Sequence, residues 1–370
     1  MKMKAAVCRE YNKPINIEEV DLAPPKEKEV LVKTMYTGLC HSDWSAVAGY
    51  LGVPVPSVLG HESAGIVADV GPGVTSVKKG DHVVACWQIS CGKCKLCISG
   101  RDHLCDASRQ CLMEGTLLDG TSRFTDAKGK PLFHSTFISG FAEYMVLPEP
   151  AAVKIRDDFP LDQACLTGCC MPTGFGAAYN VADVKPGNSV AIWGMGGVGL
   201  NIVQGAKVRG ASPIIGVDIE GSKEAIAREF GATHFINSRK EDPVPKVQEL
   251  TGGGADFTFE AIGDPGAIVQ AYWGMGIGGK LIMTGIHSMN ETVPLTLAFT
   301  PPHNKNILGN LYGNLHIHQV LPALIDMIKD RRYIDLSKLI TKKFKLEQIN
   351  DAFEAMGKRQ IIGRWVCALE

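Results

Sequence analysis

The chain has 370 residues, long enough for two domains, with 45% hydrophobic and 21% charged residues, a balance that builds a large globular core. Lysine and arginine number 38 against 39 acidic residues, a formal net charge of -1. That speaks against a nucleic-acid footprint or an anionic-membrane binder, since either needs an excess of basic side chains on one face.

The N-terminus, MKMKAAVCREYNKPI, turns polar after three apolar residues and does not read as a signal peptide, and no apolar run reaches the ~18 residues of a membrane span. Twelve cysteines without an export signal fit a reducing cytoplasm, where thiols bind metal or lie buried. The first half then runs as short apolar stretches between glycine and proline turns. EVLVKTMYTG and SAGIVADVG are examples, and the pattern predicts a compact, barrel-like β unit. Within it, GLCHSD carries Cys40 and GHE carries His61 and Glu62. Next comes CGKCKLCISGRDHLC, with Cys91, Cys94, Cys97 and Cys105. Cysteines spaced this way direct their sulfurs at a common centre, and four thiolates complete a tetrahedral zinc shell with no place for substrate. Such a metal is structural; disulfides are the alternative reading. GCCMPTGFGAA adds Cys169. Alone, a cysteine is usually a buried hydrophobe, but two thiolates and an imidazole make a three-ligand zinc site with its fourth position open.

From about residue 172 the pattern changes. SVAIW, PIIGVD, THFINS, ADFTFEAIG, GKLIMTGI and NILGNLYG read as apolar strands, mostly separated by helices such as EAIAREFGA. That alternation predicts an α/β domain with a parallel sheet and crossover helices. SVAIW enters the turn Gly194, Gly196, Gly197, Val198 and Gly199 and then a helix. Glycines there permit a tight turn, close approach of a pyrophosphate and close helix–strand packing, while the helix N-terminus offers free N–H groups. Asp218 ends the next strand, where a carboxylate accepts hydrogen bonds from ribose hydroxyls and repels a 2′-phosphate; NAD is favoured over NADP. The final segment, with helical LPALIDMIKD and INDAFEAMG and the strand RWVCALE, is expected to return to the first domain.

The ordered set GLCHSD, GHE, the four-cysteine lobe, TGCCMPTGFGAA, GMGGVG and IIGRW resembles the zinc-containing medium-chain alcohol dehydrogenases over essentially the whole chain. LLDGTSRFT and the long span from Cys105 to Cys169 are most similar to the group of glutathione-dependent formaldehyde dehydrogenases and nicotinoprotein alcohol dehydrogenases. The resemblance implies a GroES-like β-rich catalytic domain at 1–171 and 314–370 and a doubly wound Rossmann domain at 172–313, with the active site in the cleft between them. It implies two zinc ions per chain. Cys40, His61 and Cys169 match the catalytic ligands, and the lobe cysteines the structural ones. Asp43 matches the carboxylate that orients the histidine, Glu62 the acid behind the metal, and Ser42 the hydroxyl that passes on the alcohol proton. His41 and Arg364 match pyrophosphate contacts, Lys223 a ribose contact and Thr173 a neighbour of the nicotinamide. The activity implied is NAD-dependent oxidation of an alcohol to an aldehyde or ketone, and the reverse. A nicotinoprotein with retained NAD and a dehydrogenase of hydroxymethyl thiol adducts are the alternatives, and a non-catalytic nucleotide- or zinc-binding protein is disfavoured. Family likeness suggests a dimer or tetramer.

Two positions depart from the family pattern. Cys170 stands where glycine is usual, as an alternative ligand, an oxidation site or a small buried side chain. Ser45 replaces a relay histidine, so a water chain is expected to carry the proton onward. Arg109 either holds a substrate carboxylate or pairs with Asp106 or Glu114. Gly49 and Leu51 leave no charge for the amino group of a glutathione adduct, and with Trp44 they suggest a partly apolar pocket.

Overall fold

A computed structural model describes residues 1–286, 288, 291–330 and 333–370, Leu297 in its backbone alone. Its chain divides into two compact units, one of Met1–Cys169, His316–Arg332 and Leu336–Glu370, the other of Cys170–Leu315 and Tyr333–Asp335.

Among the described residues, the first unit holds a closed barrel of Lys2–Cys8, Asn16–Leu22, Phe124–Thr125, Pro131–His134 and Ser57–Val58. Beside it lies a sheet in the order Ala152–Lys154, His82–Ala85, Glu62–Val70, Glu29–Gly38, Arg364–Ala368, Ile340–Lys345, with Tyr144–Pro148 also on Glu29–Gly38. Val30, Val32, Val67, Val83, Met145 and Leu147 are buried from these strands, and the valine-rich alternation is what a half-covered antiparallel sheet requires. The chain's end lies in this sheet, with Arg364–Ala368 antiparallel to Glu29–Gly38. Ile340–Lys345 is a strand that sequence reading passed over: its lysines face out at the sheet edge and only Phe344 is buried among its six residues. The helix Ile317–Lys329 buries Ile317, Leu321, Leu324, Ile325 and Ile328, one face at helical spacing.

The second unit is a six-stranded parallel sheet, in the order His234–Asn237, Ile214–Asp218, Val190–Trp193, Ala255–Glu260, Met275–Met283, Asn306–Gly309 among the described residues. All six strands expected from the sequence are present. The order reverses at Val190–Trp193, so the crevice beyond that strand's carboxyl end is the switch point where doubly wound sheets take their ligands. Ala191, Trp193, Ile215, Val217, Ile268, Ala271, Tyr272 and Leu281 form part of its core.

Candidate active site

The helix His41–Val47 starts at Cys40, whose N–H donates to Asp43 Oδ2 at 3.2 Å. The other oxygen of Asp43, 2.9 Å away, takes His61 Nδ1. Asp43 is 1% exposed and therefore fixes two residues of the cluster at once. Cys40, His61, Glu62 and Cys169 place donor atoms within 4.8 Å of one another, all four buried. Ser42 Oγ lies 3.8 Å from Cys40 Sγ. Cys169 ends the short helical turn Cys165–Gly168 inside the first unit.

The electrostatics of this group are those of a cation site. A hydrogen bond from Cys169 and the nearby Arg364 charge hold the Cys40 thiol well below its ordinary pKa, while the same pairing and burial push Cys169 well above. Burial alone would lower His61, but the negative charge of Asp43 and Cys40 outweighs it and raises the imidazole pKa. Burial pushes Glu62 up to about 7 against the opposing charge of Arg364. A divalent metal would take the place of the protons that such a close set of thiol, carboxylate and imidazole groups otherwise shares. The donor set fits zinc.

Arg364 was expected at a pyrophosphate, and its fork lies on Glu62, through Nε at 3.1 Å and through Nη2. The sheet explains the meeting. Gly38 pairs with Glu62 on one side and with Val366 on the other, and a Cβ on Gly38 would stand 2.3 Å from Glu62 Oε2. Glycine opens the path by which the carboxylate crosses the central strand. His41 sits on the exposed side of its helix, with Nδ1 3.4 Å from Ser45 Oγ and its ring against Trp44.

The four lobe cysteines also have sulfurs within 4.8 Å of one another. Cys94 and Cys97 are 3.5 Å apart and Cys91 and Cys97 3.9 Å. A tetrahedral centre with Zn–S bonds of about 2.3 Å needs sulfurs about 3.8 Å apart, so this shell also fits. Backbone N–H groups of Cys94 and Cys97 point at Cys91 and Cys94 at 3.4 Å, stabilising thiolates before any metal arrives. Donors from Asp106 and Cys97 bring Cys94 down to about 6, whereas burial pushes Cys105 up to about 11. Arg109 Nη2 is 3.3 Å from Asp106 Oδ1 and its side chain is 75% exposed, the surface pairing expected from helix spacing.

In the second unit, Gly194 turns at φ +98°, a conformation that favours glycine, and a Cβ on Gly199 would stand 1.8 Å from Gly194 O. Among the described residues a Cβ on Gly196 would meet nothing within 4 Å, which leaves room for a ligand on that side of the turn. The helix Gly197–Val208 has no side-chain cap at its N-terminus. Asp218 accepts from the N–H groups of Met195 at 2.8 Å and Glu220 at 2.9 Å, and from Lys223 Nζ at 2.9 Å. Thr173 lies on the helix Cys170–Gly176, which packs tightly: a Cβ on Gly174 would stand 2.3 Å from Val198 O. Among the described residues its buried hydroxyl has no hydrogen-bond partner, while Asn310 clamps its carbonyl at 3.1 Å. Asn310 escaped sequence reading, because it lies within NILGNLYG, which reads only as an apolar strand. The open turn, uncapped helix and orphaned hydroxyl fit a dinucleotide.

A buried thiol–imidazole–carboxylate cluster in one unit, and a glycine turn at a sheet's switch point in the other, are the features of a metal-dependent dehydrogenase. Comparison with known families agrees. Residues 26–157 match the alcohol dehydrogenase GroES-like domain and residues 197–330 the zinc-binding dehydrogenase domain. The chain is 38% identical over 365 residues to an S-(hydroxymethyl)glutathione dehydrogenase of Paracoccus denitrificans, covering 96% of this chain and 97% of that one. It is 39% identical over 364 residues to a class-3 alcohol dehydrogenase of Pisum sativum, covering 97% and 96%. The benzyl alcohol dehydrogenase structure from Acinetobacter calcoaceticus superposes with a TM-score of 0.93 at 32% identity, covering the whole of both chains. The protein belongs to the zinc-containing medium-chain alcohol dehydrogenase family and is a zinc-dependent oxidoreductase.

Proposed function

We propose that this protein oxidises alcohols to aldehydes or ketones, and runs the reverse, with NAD and a zinc ion held by Cys40, His61 and Cys169. The observation that carries the proposal is the convergence of those three buried donors within 4.8 Å, with Asp43 bonded to His61. Zinc there supplies a Lewis acid that lowers the alcohol pKa, and NAD supplies the hydride acceptor. Asp43 holds His61 by Nδ1 and leaves Nε2 to the metal. Ser42 takes the alcohol proton. Asp218 and Lys223 receive the adenosine ribose, the turn Gly194–Gly199 the pyrophosphate, and Thr173 the nicotinamide side. Glu62, paired with Arg364, places a carboxylate behind the metal.

A second zinc ion in the Cys91, Cys94, Cys97 and Cys105 shell is structural. Among the described residues no helix is long and apolar enough to cross a membrane, which accords with a cytoplasmic enzyme of small-molecule alcohols. Family likeness and the sheet-edge position of Asn306–Gly309, with Ile307 38% exposed, support a homo-oligomer. Medium-sized primary or allylic alcohols are the favoured substrates. The likeness to an S-(hydroxymethyl)glutathione dehydrogenase favours a second reading, thiol-adduct oxidation. Gly49 and Leu51 supply no acid for the glutathione amino group, and burying that cation unpaired is costly; Arg109 is engaged with Asp106. The test is NADH formation over a panel of primary, allylic and benzylic alcohols beside S-hydroxymethylglutathione. Turnover of the simple alcohols and weak turnover of the adduct are expected. The opposite ranking supports the second reading, and no turnover of any panel member by zinc-loaded protein refutes both.

A further inference from the structure

The carboxyl end of the strand Ile214–Asp218 carries two acids and two bases. Asp218, 5% exposed, is paired with Lys223 at 2.9 Å. Two residues on, Glu220 donates its backbone N–H to Asp218 Oδ1 at 2.9 Å, which seats its backbone against the first acid. Glu220 Oε1 in turn holds Arg239 Nη2 at 2.7 Å. Arg239 follows the neighbouring strand His234–Asn237, and its own N–H donates to Asn237 Oδ1 at 3.0 Å. The N–H of Ser238, the residue before it, donates to Asp218 O at 3.1 Å, which ties this loop to the same strand end.

The arrangement is paired charge for charge, but the two pairs differ in freedom. The Lys223 side chain is 13% exposed and fixed against Asp218. The Arg239 side chain is 60% exposed, and Glu220 is the only acid within ion-pair distance of it among the described residues. A guanidinium in that position is planar, permanently charged and suited to a phosphate.

We propose that Glu220 and Arg239 form a second determinant of coenzyme choice, in which Glu220 adds negative charge beside the ribose hydroxyls and holds back an arginine able to receive a 2′-phosphate. The inference rests on the reading of the glycine turn and Asp218 as a dinucleotide site. Its consequence is that removing Asp218 alone opens the site only halfway. The carboxylate of Glu220 still repels a 2′-phosphate, and Arg239 stays bound to it. Releasing Arg239 needs Glu220 neutralised as well.

Calorimetric titration of the full-length protein with 5′-AMP and with adenosine 2′,5′-bisphosphate tests this without turnover. Wild type is expected to bind 5′-AMP in preference to the bisphosphate, and Asp218→Gly to narrow the gap. Adding Glu220→Gln should raise bisphosphate affinity about tenfold further, the value of one partly exposed charge-assisted hydrogen bond, with little change for 5′-AMP. Adding Arg239→Ala to that pair should return the affinity to the Asp218→Gly level. Asp218→Asn replaces the glycine variant if the latter loses its thermal transition. Equal bisphosphate affinity with and without Glu220→Gln, or no reversal by Arg239→Ala, overturns the proposal while leaving the dinucleotide site standing. Wild type that binds neither nucleotide refutes the dinucleotide reading and this proposal together.

Discussion

Replacing Cys97 with serine removes a sulfur that lies 3.5 Å from that of Cys94 and 3.9 Å from that of Cys91. The first part of the lobe has little else to hold it. Its short helix Lys95–Ile98 buries no residue, and Ile98 is 74% exposed. Metal closure therefore acts as a cross-link over the 15 residues from Cys91 to Cys105. By analogy with a disulfide, closing a loop of about 15 residues contributes about 3 kcal/mol, roughly a hundredfold in the equilibrium for local opening. Lys93, Lys95 and Arg101 are exposed within that loop, so trypsin reads its opening directly. Cys97→Ser should be nicked at these sites about a hundredfold faster than wild type, where opening precedes cleavage. Alcohol turnover by the uncut variant should stay near that of wild type, because the Cys40, His61 and Cys169 cluster is built from other elements. Wild-type nicking rates in a variant shown to have lost its lobe zinc would refute the reasoning, since the metal would then not be what keeps the lobe closed.

Asp43→Asn should weaken metal binding at His61 by about 10- to 100-fold, the usual effect of removing a histidine's outer hydrogen-bond partner; competition with a chelator measures it, and unchanged affinity removes Asp43 from that role. A pH effect arises away from the site. Burial, with the Arg123 charge, lowers His134 to about 3, so the folded protein keeps the imidazole neutral while the unfolded chain takes up a proton below about pH 6.5. The resulting stability is fully present above about pH 6.5 and is lost as pH falls toward 3, with a slope of up to about 1.4 kcal/mol per pH unit. Urea unfolding of wild type and His134→Asn between about pH 6 and 4 should show the shallower slope in the variant; parallel slopes contradict the assignment.

The parts of the fold that could be read from sequence are those coded locally. A parallel strand buried on both faces is a continuous apolar run, so SVAIW, PIIGVD and ADFTFE stood out, and the glycine turn followed from the strand before it. The lobe was legible because its four sulfurs lie within one short loop. Ile340–Lys345 was not, because an edge strand with outward lysines has neither an apolar run nor a clean alternation. Cys40, His61 and Cys169 lie far apart in the chain; their donor types suggested a three-ligand site, and the resemblance to a known motif set assigned it. The meeting of Arg364 with Glu62, 302 residues away, depends on three-strand pairing and on the absence of a side chain at Gly38. No local pattern encodes that. Arg109 left two readings open because helix spacing offers Asp106 as a partner whatever else the arginine does, and the structure shows that local pair.

Direct hydride transfer from an alcohol carbon to NAD is the central claim, and isotope transfer tests it most directly. The zinc-loaded protein is incubated with NAD and a primary alcohol deuterated at its carbinol carbon, and the reduced coenzyme is analysed by mass spectrometry. Reduced coenzyme carrying one deuterium, formed by wild type and not by His61→Ala that retains its fold, is the expected result. Reduced coenzyme without the label, or equal label transfer by His61→Ala, would contradict it.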